Sequence, residues 1–168
     1  MTLFGPIFEA LNGAAVRYVV VGGVAVVLHG HVRATVDLDL IIDLSPDEAR
    51  KAIDVLLGLG LRPSPPVDAI EFADPVVRER WIQEKGMQVF SLRDPDDPFR
   101  SVDLFTRSPI EFDELLSRSE IVDLGTQAVR VASIPDLISL KRTAGRTQDF
   151  ADIEKLEAIL HERRKNDE

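Results

Sequence analysis

The chain of 168 residues contains no cysteine and only three histidines. Without cysteine there can be no disulfide and no thiolate metal site. Three histidines, His29, His31 and His161, are too few and too scattered to favour a histidine-rich zinc site. Oxygen ligands and Mg²⁺ therefore fit this composition better than any thiolate or imidazole site.

Basic residues are also in deficit. Twenty Lys and Arg face 29 Asp and Glu, which gives a formal net charge of −9. Tight non-specific binding to nucleic acid needs basic surface, so any action on nucleic acid would depend on a local basic patch or a partner. No apolar stretch has the length of a membrane span, and the N-terminus lacks a basic region followed by an apolar core. These absences predict a cytoplasmic protein without a membrane segment.

The length and a hydrophobic content of 45% are those of an ordinary globular protein with one core. We expect a single domain over residues 1–168, without internal repeats. Apolar β-branched runs alternate with amphipathic segments, and a hairpin pattern comes late in the chain. The order predicts an α/β (α+β) fold, with a mixed sheet flanked by helices and with helices at the C-terminus.

The periodicity of apolar residues gives the expected elements. Helices are predicted over 3–11, 24–28, 45–59, 75–84, 109–117, 135–144 and 150–164. Strands are predicted over 17–21, 36–42, 69–72, 87–92, 101–105, 121–124 and 127–131.

The most informative stretch is residues 19–42, VVVGGVAVVLHGHVRATVDLDLII. Asp37 and Asp39 are one residue apart on a strand, so their carboxylates share one face about 6–7 Å apart. Two like charges in a mostly apolar strand are unfavourable unless a cation lies between them. A divalent metal carrying a nucleotide triphosphate is the obvious cation. Acids on a solvent-facing edge strand are the alternative, but Leu38 and Leu40 indicate a central strand.

A glycine pair, Gly22-Gly23, separates the first strand from the short helix. Glycines at such a turn allow the backbone to approach a phosphate beside a helix N-terminus. The alternative is that the two glycines only form a tight turn that requires unusual backbone dihedral angles. The pair gains weight from its position 14 residues before Asp37-x-Asp39.

These residues resemble the signature of the nucleotidyltransferase superfamily, which has the DNA polymerase β-like fold. The resemblance is strongest to the small AbiEii-like bacterial members. The family pattern is a Gly-Gly or Gly-Ser turn, a helix, Asp-x-Asp on a strand, and a third acid on a later strand. The resemblance implies that Gly22 and Gly23 bind nucleotide phosphates and that Asp37 and Asp39 are catalytic metal ligands.

Asp103 is the best match to the third acid, because it lies in the middle of an apolar strand, where a carboxylate is rare unless it is paired or functional. The resemblance implies that it is a metal ligand and base. Asp94, Asp96 and Asp97 are interpreted as plain acids of a proline-rich loop. Asp43 lies roughly 13 Å beyond Asp39 along the strand, too far to share a metal, and is interpreted as a strand-end residue.

Several basic residues accompany the glycine and aspartate motifs in the sequence. Arg33 could hold a phosphate bidentately or form an ion pair with Asp37 or another acid. The segment around Lys141 resembles the family's C-terminal basic segment, which implies that Lys141 contacts the triphosphate. The alternative for Lys141, and the preferred interpretation of Arg146, is that they complement a helix C-terminus.

Four other residues have structural interpretations. Asp149 followed by Asp152 is typical of a helix N-cap with an acid at the third helical position. The family sometimes has a functional acid here, so Asp152 stays a candidate. His29 is expected to be structural, and Trp81 is expected to pack in the core rather than stack on a base.

The resemblance implies a Mg²⁺-dependent (or Mn²⁺-dependent) enzyme that moves a nucleoside monophosphate from ATP or another NTP to a hydroxyl acceptor. The acceptor could be RNA, a protein or a small molecule. A toxin–antitoxin role, with a cognate antitoxin-like protein as partner, is implied by the resemblance alone. The alternative is a catalytically inactive module of the same fold that binds a nucleotide or a partner.

Overall fold

The computed structural model describes residues 3–168 and contains one seven-stranded mixed sheet with helices packed around it. The helices are α1 (Gly5–Gly13), α2 (Gly22–Leu28), α3 (Pro46–Gly58), α4 (Pro75–Lys85), α5 (Phe112–Arg118), α6 (Ile134–Ala144) and α7 (Thr147–Asn166). The strands are β1 (Tyr18–Val21), β2 (Asp37–Ile42), β3 (Arg62–Pro63), β4 (Val89–Arg93), β5 (Ser101–Phe105), β6 (Glu120–Asp123) and β7 (Ala128–Val131). The predicted fold class is confirmed.

The strand order is β3-β4-β5-β2-β1-β7-β6. Strand β2 is at the centre, antiparallel to β1 and parallel to β5. The pair β6–β7 is the predicted late hairpin, and β7 returns parallel to β1. A strand with neighbours on both sides and helices around the sheet buries most of its side chains, which explains the apolar character of β1 and β2.

Strand β2 shows how this core positions polar groups. Leu38 and Leu40 are completely buried on one face of the sheet. The alternate residues Asp37 and Asp39 are partly exposed on the other face. Because side chains alternate between the two faces of the strand, its leucines pack in the core while its acids lie at a cleft.

Two expected structural roles outside the motif are confirmed. Trp81 is 4% exposed, and its ring stacks on Phe90 with the ring centroids 5.4 Å apart. The buried His29 follows α2, and its Nε2 lies 2.8 Å from the Ala132 carbonyl oxygen. No helix within residues 3–168 is long and apolar enough to cross a membrane.

Some sequence-based boundaries are wrong for local reasons. Residues Ala69–Ala73 form a 3₁₀ helix instead of a strand, because the Asp68 side chain accepts a hydrogen bond from the Ile70 amide and starts a turn. Helix α5 begins at Phe112 rather than at residue 109, because the Glu111 side chain caps its first amides. The two-residue strand β3 carries too little pattern to be recognised.

The predicted cap of the last helix is also wrong. Helix α7 begins at Thr147, with Arg146 as its N-cap and Asp149 at the third helical position. The Asp149 side chain accepts a hydrogen bond from the Arg146 amide at 3.1 Å. Asp149 therefore supplies the capping carboxylate from inside the helix.

Candidate active site

Asp39 and Asp103 are register partners on the parallel strands β2 and β5. In the same ladder Asp37 pairs with Ser101. Partners in a sheet present their side chains to the same face, so all three carboxylates lie on one side of the central strands. All three line a cleft of about 290 Å³. The predicted placement of the three acids on adjacent strands and one face is confirmed.

Two serines that the sequence reasoning missed hold these acids. The Ser101 hydroxyl donates to Asp37 Oδ1. The Ser91 hydroxyl donates to Asp103 Oδ1 at 2.6 Å, and Ser91 is the register partner of Asp103 on β4. Both serines lie on the same face of the sheet as the acids. Their contacts with the acids can be predicted only when the pairing of the strands is known.

The cleft disfavours the ionised forms of Asp39 and Asp103. Burial, followed by the charges of Asp103 and Asp37, raises the pKa of Asp39 to about 7, against the opposing effects of Arg146 and Lys141. Burial also raises the pKa of Asp103, although the Ser91 hydrogen bond lowers it. A bound cation would relieve both effects.

The oxygen-only set of three carboxylates fits a hard dication such as Mg²⁺. Within residues 3–168, however, no group of three His, Cys, Asp or Glu side chains is gathered into a metal-holding arrangement. The carboxylates share the cleft without forming a closed cage of ligands.

Gly22 and Gly23 begin α2 directly beside the acids. Gly22 has a φ of +66°, and a Cβ there would lie 2.1 Å from Asp39 Oδ2. A Cβ on Gly23 would lie 2.7 Å from Thr35 Oγ1 and 2.8 Å from Arg33 Nη2. Glycine is needed at both positions because the backbone is in contact with polar side chains of the cleft.

Arg33, Lys141 and Arg146 line the same cleft as the acids. Lys141 is 5% exposed, and its Nζ lies 2.8 Å from Asp152 Oδ2 and 3.4 Å from Asp149 Oδ1. Arg33 Nε lies 3.1 Å from Asp152 Oδ1, so the ion-pair partner of Arg33 is Asp152 and not Asp37.

The expected role of Arg146 at a helix C-terminus is wrong. Arg146 lies beyond the end of α6, and its Nε donates to Asp149 Oδ2 at 2.9 Å. Its side chain is 78% exposed. Among the cations of the cleft, Arg146 is therefore well placed to meet an incoming anion, a feature that its sequence position alone did not indicate.

Asp43 has the expected role outside the site. It forms an ion pair with Arg17, and its Oδ1 accepts a hydrogen bond from the Ser45 amide at 2.9 Å. These contacts tie the end of β2 to the turn before α3. Partial burial raises the pKa of Asp43, but the hydrogen bonds from Ser45 and the Arg17 charge together lower it below its ordinary value.

A smaller recess of about 70 Å³ adjoins the cleft beside Asp39. Phe105 on β5 and Leu137 and Leu140 on α6 form its apolar wall. The site thus combines a polar cleft with an apolar extension, a common arrangement in ligand pockets.

Similar solved structures share this fold. The lincosamide antibiotic adenylyltransferase LnuA, in its lincomycin-bound crystal structure, superposes with a TM-score of 0.63 at 15% identity, covering 94% of this chain and 96% of LnuA. The solution structure of the antibiotic-resistance factor ANT(2'')-Ia gives a TM-score of 0.60 at 16% identity, covering 98% of this chain and 91% of that one. The crystal structure of ANT(2'')-Ia in complex with adenylyl-2''-tobramycin gives 0.58 at 16% identity, covering 99% and 98%.

At these identities the solved structures establish the fold alone. No curated protein matches the chain. The sequence model of one protein family, described as Nucleotidyl transferase AbiEii toxin, Type IV TA system, matches residues 8–167, nearly the whole chain. The chain therefore belongs to the AbiEii nucleotidyltransferase toxin family, as its glycine pair and Asp-x-Asp motif predicted.

Proposed function

We propose that this protein transfers a nucleoside monophosphate from an NTP to a hydroxyl acceptor in a reaction that depends on Mg²⁺ or Mn²⁺. The observation that carries the proposal is the pairing of Asp39 with Asp103 across β2 and β5, beside Asp37 and against the Gly22 backbone. Family membership supports nucleotidyl transfer as the reaction class.

In this proposal Asp37, Asp39 and Asp103 hold the metal. When bound, the ions neutralise the triphosphate and stabilise the entering and leaving oxygens. The raised pKa values of Asp39 and Asp103 support this role, because burial and neighbouring carboxylates disfavour their ionised forms and a dication would offset both effects. Since binding requires the ionised carboxylates, metal affinity should rise with pH.

The remaining residues of the cleft act on the nucleotide and the acceptor. The Gly22-Gly23 backbone lies against the phosphates, and Arg33, Lys141 and Arg146 offset their negative charge. Asp103 accepts the proton of the acceptor hydroxyl while Ser91 holds its other oxygen. The acceptor oxygen forms a bond to the α-phosphorus, the bond from that phosphorus to the α,β-bridging oxygen breaks, and pyrophosphate leaves.

The acceptor is proposed only by class. The titles of the related structures name lincomycin and adenylyl-2''-tobramycin, which make a small hydroxylated molecule one candidate. The family description names a toxin of a type IV system, so we propose a toxin with an RNA or protein acceptor as the other, with an antitoxin-like protein as its genetic partner.

A binding module of the same fold is the second candidate function. It is favoured by one observation: Lys141, the proposed triphosphate ligand, is buried and already paired with Asp149 and Asp152. The two candidates separate on incubation with each labelled NTP and Mg²⁺, with total RNA, cell protein or a pool of small hydroxylated compounds as acceptor. An enzyme transfers label in one pool, whereas a binding module binds NTP without transfer.

A further inference from the structure

Asp152 is completely buried, yet it contacts two cations of the cleft. Its Oδ2 lies 2.8 Å from Lys141 Nζ, and its Oδ1 lies 3.1 Å from Arg33 Nε. Gln148, one helical turn earlier, donates from its side-chain amide to Oδ1 at 3.1 Å. A single carboxylate on α7 therefore joins a residue of α6 to a residue of the loop before β2.

The other buried acid of the cluster does not have this role. Asp149 accepts bonds from the backbone amide and the guanidinium of Arg146, and it lies 3.4 Å from Lys141. It makes no contact with Arg33 in the described part of the chain. Asp152 is thus the acid that links Arg33 and Lys141.

The contact with Arg33 is incomplete. Arg33 Nε is buried, and although Asp152 Oδ1 lies 3.1 Å away, Nε has no hydrogen-bond partner within residues 3–168. The Arg33 Nη1 group donates to the Ala34 carbonyl at 2.7 Å, whereas Nη2 lies against Gly23. The carboxylate therefore holds the guanidinium by charge, and Nη2 lies at the glycine turn without a hydrogen bond to any residue of the described range 3–168.

We propose that Asp152 is a positioning residue that holds Arg33 and Lys141 at the cleft for the triphosphate of an NTP, without being a metal ligand. This inference rests on the proposed function, since it assigns a role at the same site. Full burial and one cation on each carboxylate oxygen support it, because removal of one partner of a buried ion pair leaves the others without their contact. Asp152 is absent from the residues that line the cleft, unlike Asp37, Asp39 and Asp103.

The test measures two affinities in each variant: that for the triphosphate of ATP in excess Mn²⁺, and that for Mn²⁺ alone by electron paramagnetic resonance. Asp152→Asn should weaken ATP binding by roughly tenfold or more while leaving Mn²⁺ affinity within about twofold. Asp136→Asn is the matched control, because Asp136 is also a buried acid paired with an arginine, Arg118, but it lies in the first turn of α6 and does not line the cleft. It should lose stability but keep its ATP affinity.

Coupling to Arg33 distinguishes positioning from general structural support. If Asp152 acts through Arg33, the two substitutions should not have additive effects on ATP binding. The double variant Asp152→Asn with Arg33→Ala should then have nearly the same ATP affinity as the single variant that binds ATP less tightly. Fully additive effects would overturn the proposal. Loss of Mn²⁺ binding in Asp152→Asn would also overturn it, because the residue would then be a ligand.

Two further outcomes keep the test decisive. If Asp152→Asn fails to fold, Gln148→Ala replaces it, since that variant removes only one support of the carboxylate; ATP binding should weaken by about two- to fivefold, and unchanged binding overturns the inference. If wild type binds no NTP at all, the proposed function itself fails. Normal ATP binding by Asp152→Asn beside a binding-competent wild type contradicts this inference alone.

Discussion

Asp39 and Asp103 stand directly opposite each other on two parallel strands at the centre of the sheet. Asp39 belongs to the Asp-x-Asp pair, whereas Asp103 is 64 residues later in the chain. Strand β5, which carries Asp103, lies between β2 and β4. This pairing concentrates negative charge beside the glycine turn.

The first prediction concerns the stability of the metal-free protein. The pKa of Asp39 is raised to about 7 in the folded state, from an ordinary value of 3.8. Between these values the folded state binds more protons than the unfolded state, so wild-type stability falls as pH rises from about 4 to 7. Asp39→Asn should remove this part of the fall and raise the free energy of unfolding by roughly 1–3 kcal/mol at pH 8.

Urea unfolding at pH 5 and pH 8 measures this effect. Asp47→Asn is the control, since Asp47 is an exposed acid in the first turn of α3. A metal-free Asp39→Asn protein that is less stable than wild type at pH 8 would show that the Asp39 charge is well accommodated.

The second prediction concerns metal and nucleotide. A ligand that binds only the native state raises the melting temperature, so Mn²⁺ with NTP should raise that of wild type. The double variant Asp37→Asn with Asp39→Asn should lose the shift, because both proposed ligands lose their charge. The matched control is Asp47→Asn with Asp96→Asn, which changes the net charge equally at exposed positions. An equal shift in the acid double variant would remove Asp37 and Asp39 as ligands.

The third prediction concerns the glycine turn. Gly22→Ala places a methyl group 2.1 Å from Asp39 Oδ2 and at a φ of +66°, so both the side-chain contact and the backbone are strained. It should destabilise the fold by roughly 2–4 kcal/mol and weaken NTP binding in any folded fraction. Gly58→Ala in α3 meets open space and should be neutral or slightly stabilising. Wild-type thermal stability and NTP affinity in Gly22→Ala would contradict the observed contact.

The fourth prediction separates binding from stability at Lys141. Lys141→Ala should weaken NTP binding by about 1.5–3 kcal/mol, as expected for a lost charged hydrogen bond. It should also destabilise the protein by roughly 3–5 kcal/mol, because it leaves the buried Asp149 and Asp152 without their shared cation. Arg142→Ala is the control, since Arg142 lies on the same helix but pairs with Glu157 at an exposed position. Calorimetric NTP titration and urea unfolding check the two effects separately.

The sequence was sufficient for the fold class and for the acids. Alternation in β2 places Asp37 and Asp39 on one face, and the apolar neighbours of Asp103 mark its strand. These are local patterns, so they can be recognised without the structure. The glycine pair is likewise a local signal.

The cations and serines depend on contacts between distant segments. Ser91 meets Asp103 only because β4 pairs with β5, and Arg33 meets Asp152 across more than a hundred residues. The sequence favours a helix C-terminus for Arg146 because only Gly145 and Arg146 separate α6 from α7. No spacing rule in one sequence specifies such contacts.

The activity proposed for the carboxylate site is transfer of a nucleotide. The most direct measurement incubates wild type and Asp103→Ala with each of the four α-labelled NTPs, Mg²⁺ and the pooled RNA, protein and small-molecule acceptors, and follows acceptor labelling and pyrophosphate release. We predict labelling of one acceptor class with matching pyrophosphate release by wild type, and a loss of roughly 10²–10⁴-fold or more in a folded Asp103→Ala protein. Equal labelling by Asp103→Ala, or tight NTP binding by wild type with no transfer to any acceptor, would contradict it.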